Sequence, residues 1–128
     1  MDKRQMLQQL VIDEAGVFEK LVERSKPYLK VDKQGGVVFL VPRSKLTDRQ
    51  AVALTLLGRY FATELGFVES EVMTADEILP LVDAEKTVVA ARLNDLKGDG
   101  IVESPTRGKF KINWMKVLRI LDELDSKQ

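Results

Sequence analysis

The chain has 128 residues, of which 45% are hydrophobic and 31% charged, and its 20 basic residues balance its 20 acidic ones. This composition is that of one soluble globular domain, and it argues against wholesale disorder and against a generic nucleic-acid coat protein. Because the sequence has no cysteine and no histidine, it excludes disulfide bonds, thiolate or imidazole metal ligands, and catalysis by either side chain.

The N-terminal part of the chain predicts one helix from Asp2 to about Lys26. Its apolar residues recur at helical spacing, and Pro27 ends the pattern because proline disfavours helix in the residue before it. The apolar stripe comprises Leu7, Leu10, Val11, Phe18, Leu21 and Val22. Two interpretations of this helix remain open: it packs on its own domain, or it pairs with a second copy of the chain.

Residues 28–41 predict a β-hairpin, because the β-prone run at 37–41 follows the turn sequence Asp32-Lys33-Gln34-Gly35-Gly36. Five consecutive apolar residues in that run indicate a strand covered on both faces. The glycine pair lacks the lysine and the spacing of a phosphate-binding loop, so it is interpreted as a turn.

A long central helix is predicted to begin at Thr47, which forms a capping box with Gln50, and to end at Gly66. Its apolar face comprises Ala53, Leu56, Leu57, Tyr60, Phe61 and Leu65. Between residues 47 and 83 there are seven acidic residues and two basic ones. Such a surface repels phosphates, so any DNA is expected to lie on the opposite side.

The segment 74–112 predicts two further helices and a hairpin. Thr74 and Glu77 form a capping box for the first helix, and a turn at 83–85 leads to a second helix at 85–98, which Gly100 ends. The apolar face of the second helix comprises Val89, Leu93 and Leu96. Short β runs at 101–102 and 110–112 flank a loop at 104–108. A last helix is predicted from Asn113, with an apolar stripe formed by Trp114, Val117, Leu118, Leu121 and Leu124.

This order of helix, turn, helix and hairpin resembles the winged helix-turn-helix of prokaryotic transcription regulators. The resemblance implies that helix 85–98 enters the major groove and that the hairpin, the wing, contacts phosphate. The outward face of helix 85–98 then carries Lys86, Thr87, Ala90, Ala91, Asn94 and Lys97. Asn94 is suited to pair with adenine, the two alanine methyls can contact thymine methyls, and the remaining three residues can bind phosphates.

The chain departs from the family at three places in this segment. The family usually has Ser, Thr or Arg where this chain has Ala90 and Ala91, usually has Gly where it has Asp83, and rarely has Pro where it has Pro80. Aspartate tolerates the left-handed turn, so the fold is expected to survive, whereas the two alanines reduce the capacity to read bases.

The wing carries Arg107, Lys109 and Lys111 at alternate positions, which places the three cations on one face of a strand. That pattern fits a phosphate clamp, and it also fits a solvated edge strand that its charges protect from aggregation. No pair of carboxylates has a catalytic partner at a known spacing, so we expect no enzyme activity, no metal and no cofactor.

These patterns together predict an α+β fold: a winged helix at 45–128 that includes the C-terminal helix, preceded by a helix and β-hairpin extension at 1–44, in one compact unit. The expected function is regulation of transcription by binding double-stranded DNA, as a homodimer formed through the terminal helices. The alternative is a winged helix that binds protein within a larger assembly. The charged N-terminus lacks a signal peptide and no apolar run could span a membrane, so a cytoplasmic location is expected.

Overall fold

A computed structural model describes residues 2–126 and has an α+β architecture. Over these residues the chain forms a short 3-10 helix at Arg43–Lys45 and six α-helices: α1 (Lys3–Gln8), α2 (Glu14–Ser25), α3 (Asp48–Glu64), α4 (Ala75–Val82), α5 (Lys86–Gly98) and α6 (Leu118–Asp125). It also forms four strands: β1 (Leu29–Val31), β2 (Val37–Phe39), β3 (Val102–Thr106) and β4 (Lys109–Ile112). The strands pair as two antiparallel hairpins, β1 with β2 and β3 with β4. This arrangement is compatible with a small winged helix.

The central helix is α3, and it is buried on nearly every side. The predicted capping box is present: the Thr47 hydroxyl accepts the N–H of Gln50 at 3.1 Å, and the Gln50 side chain accepts the N–H of Thr47 at 3.0 Å. The single apolar face predicted for this helix is too narrow, because Ala51, Val52 and Leu54 are fully buried as well. The reason is that α4, α5, β1 and β4 all pack around α3.

The prediction of one helix over residues 2–26 is wrong. The chain forms two helices, α1 and α2, and Asp13 begins the second one by accepting the N–H of Gly16 at 3.1 Å. Aspartate favours this capping role over a place inside a helix, because its carboxylate bonds the free N–H groups of a first turn. α2 contributes Leu21 to the core, whereas α1 has no buried residue.

The first hairpin is confirmed, with Leu29 opposite Phe39 and Val31 opposite Val37. The prediction that its second strand is covered on both faces is wrong, because Val38 is 46% exposed. Only one face of this hairpin packs on the core, through α3. The hairpin packs tightly on α3 at Gly58, where an added Cβ would lie 2.6 Å from Val37 Cγ2.

Substitution Gly58→Ala should therefore destabilise the fold by ~1–3 kcal/mol, since overpacking a close contact forces the hairpin and helix apart. Gly98→Ala is the matched control, because a Cβ at this helical glycine meets open space. It should be neutral or stabilising by up to ~1 kcal/mol. Urea denaturation of both variants measures the difference in the free energy of unfolding. Equal midpoints would show that β2 and α3 can separate enough to accept the added methyl group without loss of stability.

The C-terminal helix starts later than predicted. The side chain of Asn113 accepts the N–H of Met115 at 3.2 Å, but this turn precedes α6, which begins at Leu118. α6 packs on α2 and buries Ile120, Leu121 and Leu124 within the same chain. The apolar stripe of the C-terminal helix is thus covered by its own domain.

Polar contacts fix α6 to the N-terminal half. Arg24 lies 2.7 Å from Asp122 and 3.1 Å from Asp125, and the Tyr28 hydroxyl donates to Asp125. Burial, with the neighbouring carboxylate, raises the pKa of Tyr28 to about 12. The bond from Tyr28, with Arg24 adding to it, lowers the pKa of Asp125. One hydrophobic cluster contains Leu21, Tyr28 and the core of α3 to α6, so the two predicted segments share a core.

Candidate nucleic-acid interface

The turn between α4 and α5 has the predicted geometry. Thr74 accepts the N–H of Glu77 at 3.3 Å, and Glu77 accepts the N–H of Thr74 at 3.0 Å, which confirms the capping box at the start of α4. Asp83 ends α4 in the left-handed region with φ of 50°, a conformation that aspartate tolerates better than most residues. Arg43 donates from Nε to the carbonyl of Val82 at 2.6 Å and ties this turn to the segment before α3.

α5 packs against α3 and α4 and leaves one side in solvent. Val89, Leu93 and Leu96 are fully buried, as predicted. The opposite side, which we name the outer face of α5, consists of Lys86, Thr87, Ala90, Ala91, Asn94 and Lys97. All are exposed except Ala91, which is half-buried. The six residues predicted on this helix therefore form one accessible surface.

The polar groups of the outer face differ in their partners. Lys86 forms an ion pair with Asp76 of α4 at 2.9 Å. Over residues 2–126, the side chains of Thr87, Asn94 and Lys97 make no hydrogen bond or ion pair within the chain. These three groups are available to a ligand.

Arg92 was not among the residues selected from the sequence, although it lies beside the outer face. It is half-buried, and its Nε forms an ion pair with Asp95 at 3.1 Å without hydrogen-bond geometry. Arg92 lines a cleft of about 730 Å³ at the start of α3, where Arg49 is paired with Asp99 at 2.7 Å and lies 3.7 Å from Glu123. The two arginines of this cleft are thus already paired with carboxylates.

The loop of the wing is shorter than predicted. β3 extends to Thr106, inside the predicted loop, and only Arg107 and Gly108 lie between the strands. Gly108 takes the left-handed conformation with φ of 78°, as such a tight turn requires. A register shift separates the pairs Glu103–Lys111 and Thr106–Lys109, and the Ser104 hydroxyl lies 2.9 Å from two carbonyl oxygens across it. Arg107 therefore lies in the turn rather than in the strand.

The three wing cations are not equivalent. Lys111 lies 3.9 Å from Glu71 and 3.8 Å from Glu103. Burial raises the pKa of Glu71, and Lys111 opposes that rise. Arg107 and Lys109 are exposed and have no ion pair within residues 2–126. The structure therefore leaves two of the three predicted cations free.

The wing is held in place by a segment that precedes α4. Met73 and Phe110 exchange two backbone hydrogen bonds, each of 2.8 Å, and Met73 is 4% exposed. Sequence analysis did not identify this bridge, because a single strand residue has no periodic signal. It fixes the orientation of β4 relative to the helices.

Comparison with known proteins gives no match: no family model, no curated protein and no solved structure is similar to the chain. Within residues 2–126 no group of acidic side chains is arranged to hold a metal ion. No helix in the same range is long and apolar enough to cross a membrane. The surfaces of the chain that bear on its function are the outer face of α5 and the wing.

Proposed function

We propose that the chain is a winged helix-turn-helix protein that binds double-stranded DNA and regulates transcription, without enzymatic activity. The outer face of α5 lies in the major groove, and Arg107 and Lys109 contact phosphates. The observation that carries this proposal is the accessible set of polar groups on α5, together with Arg107 and Lys109 at the tip of the wing, which have no ion pair within residues 2–126.

The shape of α5 supports a place in the groove. Its 13 residues form a helix of about 20 Å, and the major groove admits one α-helix. Ala90 at the centre of the outer face is exposed, and its methyl group can contact a thymine methyl. Asn94, one turn later, can donate to and accept from the edge of an adenine, and Lys97 can reach a phosphate.

The charge distribution of the chain predicts only a modest affinity for DNA of random sequence. The chain is neutral overall, and Lys86 already has a carboxylate partner. With phosphate contacts from Arg107, Lys109 and Lys97, about three contacts per chain are available. Specificity must then come from base contacts along α5 rather than from a strongly basic surface.

A protein-interaction module in a larger assembly is the second candidate. It is favoured by the balanced charge of α5 with its two capping residues, where Lys86, Arg92 and Lys97 are matched by Glu85, Asp95 and Asp99. Depletion of net charge around small apolar residues is typical of protein interfaces rather than DNA interfaces. In this alternative the outer face packs on a partner protein around Ala90 and Ala91.

Salt dependence distinguishes the two functions. Three phosphate contacts predict that the affinity for a random DNA duplex falls roughly 40-fold between 50 and 200 mM salt, because counterions are released on binding. Fluorescence anisotropy with a labelled duplex and the purified chain measures this slope. Absence of binding at 50 mM salt, or affinity that does not depend on salt, would reject DNA binding and favour the protein-interaction module.

A further inference from the structure

Lys111 differs from the other two wing cations because two carboxylates lie beside it. Its Nζ lies 3.9 Å from Glu71 Oε1 and 3.8 Å from Glu103 Oε2. The side chain of Glu103 is 50% exposed, whereas that of Glu71 is 26% exposed. Water therefore screens the attraction between Glu71 and Lys111 less than it screens the pair with Glu103.

Glu71 is held beside the wing on both sides along the chain. Before it, Arg59 of α3 donates from Nε to the carbonyl of the preceding residue at 2.7 Å. After it, the bridge between Met73 and Phe110 joins the same segment to β4. Because this bridge is antiparallel, the backbone before Met73 runs beside the backbone after Phe110. The backbone itself thus places Glu71 next to Lys111.

Lys111 also lies close to a proposed phosphate contact. It follows Lys109 by two residues on β4, and residues at this spacing lie on the same face of a strand about 7 Å apart. Lys109 is exposed and has no ion pair within residues 2–126. A DNA backbone bound by Lys109 therefore passes close to Lys111, and the neighbouring carboxylates are what distinguish the two lysines.

We infer that Glu71 makes an autoinhibitory contact, in which its carboxylate holds Lys111 and keeps it from DNA phosphates until Glu71 loses its charge. The inference rests on the proposed binding of DNA. A carboxylate and a phosphate compete for the same ammonium group. Once Glu71 is neutral, the exposed pair with Glu103 is too weak to retain Lys111 against a phosphate. Glu103 then keeps a second contact, since Asn113 donates to it at 3.4 Å.

The surroundings of Glu71 make this contact sensitive to acid. Burial raises the pKa of Glu71, Lys111 opposes that rise, and the charges of Glu64 and Glu103 add to it. Tyr60 of α3 also lies near Glu71, and burial raises its pKa, so Tyr60 stays neutral. As the pH falls, Glu71 therefore takes up a proton before an ordinary glutamate does, and Lys111 becomes available to phosphate.

Fluorescence anisotropy of Glu71→Gln on a random duplex at pH 7.5 tests the inference. The substitution removes the charge and keeps the shape of the side chain. One added phosphate contact should tighten binding about tenfold at 50 mM salt and about 3-fold at 200 mM salt, with a salt slope steeper by about 0.9. Glu69→Gln is the matched control, because it removes the same charge from an exposed position of the same segment. It should change the affinity little.

Two further measurements identify Lys111 as the group that is released. Adding Lys111→Ala to Glu71→Gln should abolish the gain in affinity. The ratio of the affinities of Glu71→Gln and the native chain should fall from about tenfold at pH 7.5 towards one at pH 5, because native Glu71 then takes up a proton. Since the folded chain raises the pKa of Glu71, its charge contributes no stability at pH 7.5, and urea denaturation should show that Glu71→Gln is as stable as the native chain.

NMR titration of the Glu71 carboxyl carbon without DNA tests the ion pair separately. Because Lys111 opposes the rise in the pKa of Glu71, Lys111→Ala should move the midpoint of this titration to higher pH. An unmoved midpoint would overturn the inference, and so would equal DNA affinities of Glu71→Gln and Glu69→Gln or a gain that persists without Lys111. These results leave the proposed function intact. Absence of DNA binding by both the native chain and Glu71→Gln would reject the proposed function and the inference together.

Discussion

Replacing Arg107 and Lys109 together with alanine should weaken binding to any DNA duplex by roughly 100-fold at 50 mM salt and about 8-fold at 200 mM salt. Both side chains are exposed at the tip of the wing and have no ion pair within residues 2–126. Each lost phosphate contact lowers the dependence of log affinity on log salt by about 0.9. The double variant should therefore lose nearly two units of slope, by the same amount on every sequence.

Lys111→Ala is the matched control on the same strand. Because Lys111 lies within 4 Å of Glu71 and Glu103, it is engaged within the chain and should contribute little to phosphate binding. Lys33→Ala, in the turn of the other hairpin, controls for the loss of a cation elsewhere. If Lys111→Ala weakens binding as much as Lys109→Ala, or if the double variant keeps the native salt slope, the wing does not bind phosphate as proposed.

Features set by neighbouring residues could be predicted from the sequence. The capping boxes at Thr47 and Thr74, the left-handed turn at Asp83 and the bounds of α5 all follow from short patterns. Each depends on hydrogen bonds between residues three or four apart, so the sequence contains the complete signal. These elements position the outer face of α5, and its buried and exposed sides were predicted correctly.

Features set by distant residues could not be predicted. The alternation at 107–111 predicts three cations on one face, but it does not show that Glu71, forty residues before Lys111, approaches Lys111 in the folded chain. The apolar run at 37–41 predicts that Val38 is buried. This prediction fails because a run of apolar residues does not show how many faces of a strand are covered. The break at Asp13 had a local signal, the carboxylate that caps Gly16, but the continuous apolar stripe obscured it.

A substitution on the outer face of α5 should also change the affinity for DNA strongly. Ala90→Arg adds an exposed guanidinium at the centre of this face and should raise affinity for a random duplex about tenfold at 50 mM salt. Ala90 is a better site than Ala91, because Ala91 is half-buried. Ala15→Arg is the control, since it adds the same charge at an exposed position of α2 and should change binding little.

Asn94→Ala tests base reading on the same face. Asparagine forms a bidentate pair with adenine that alanine cannot form, so the substitution should cost ~1–3 kcal/mol on a duplex selected for tight binding. On a random duplex it should cost almost nothing. A protein-interaction surface predicts a different pattern, in which an arginine at Ala90 leaves DNA binding unchanged and disrupts the partner complex by burying an unpaired charge.

The most direct measurement of whether α5 contacts DNA is a titration of the native chain, Ala90→Arg, Ala15→Arg and Asn94→Ala on one selected and one random duplex at a single salt concentration. We expect Ala90→Arg alone to bind the random duplex more tightly than the native chain. We expect Asn94→Ala alone to lose affinity for the selected duplex. If Ala90→Arg and Ala15→Arg bind alike, and Asn94→Ala binds both duplexes as the native chain does, the outer face of α5 does not contact DNA.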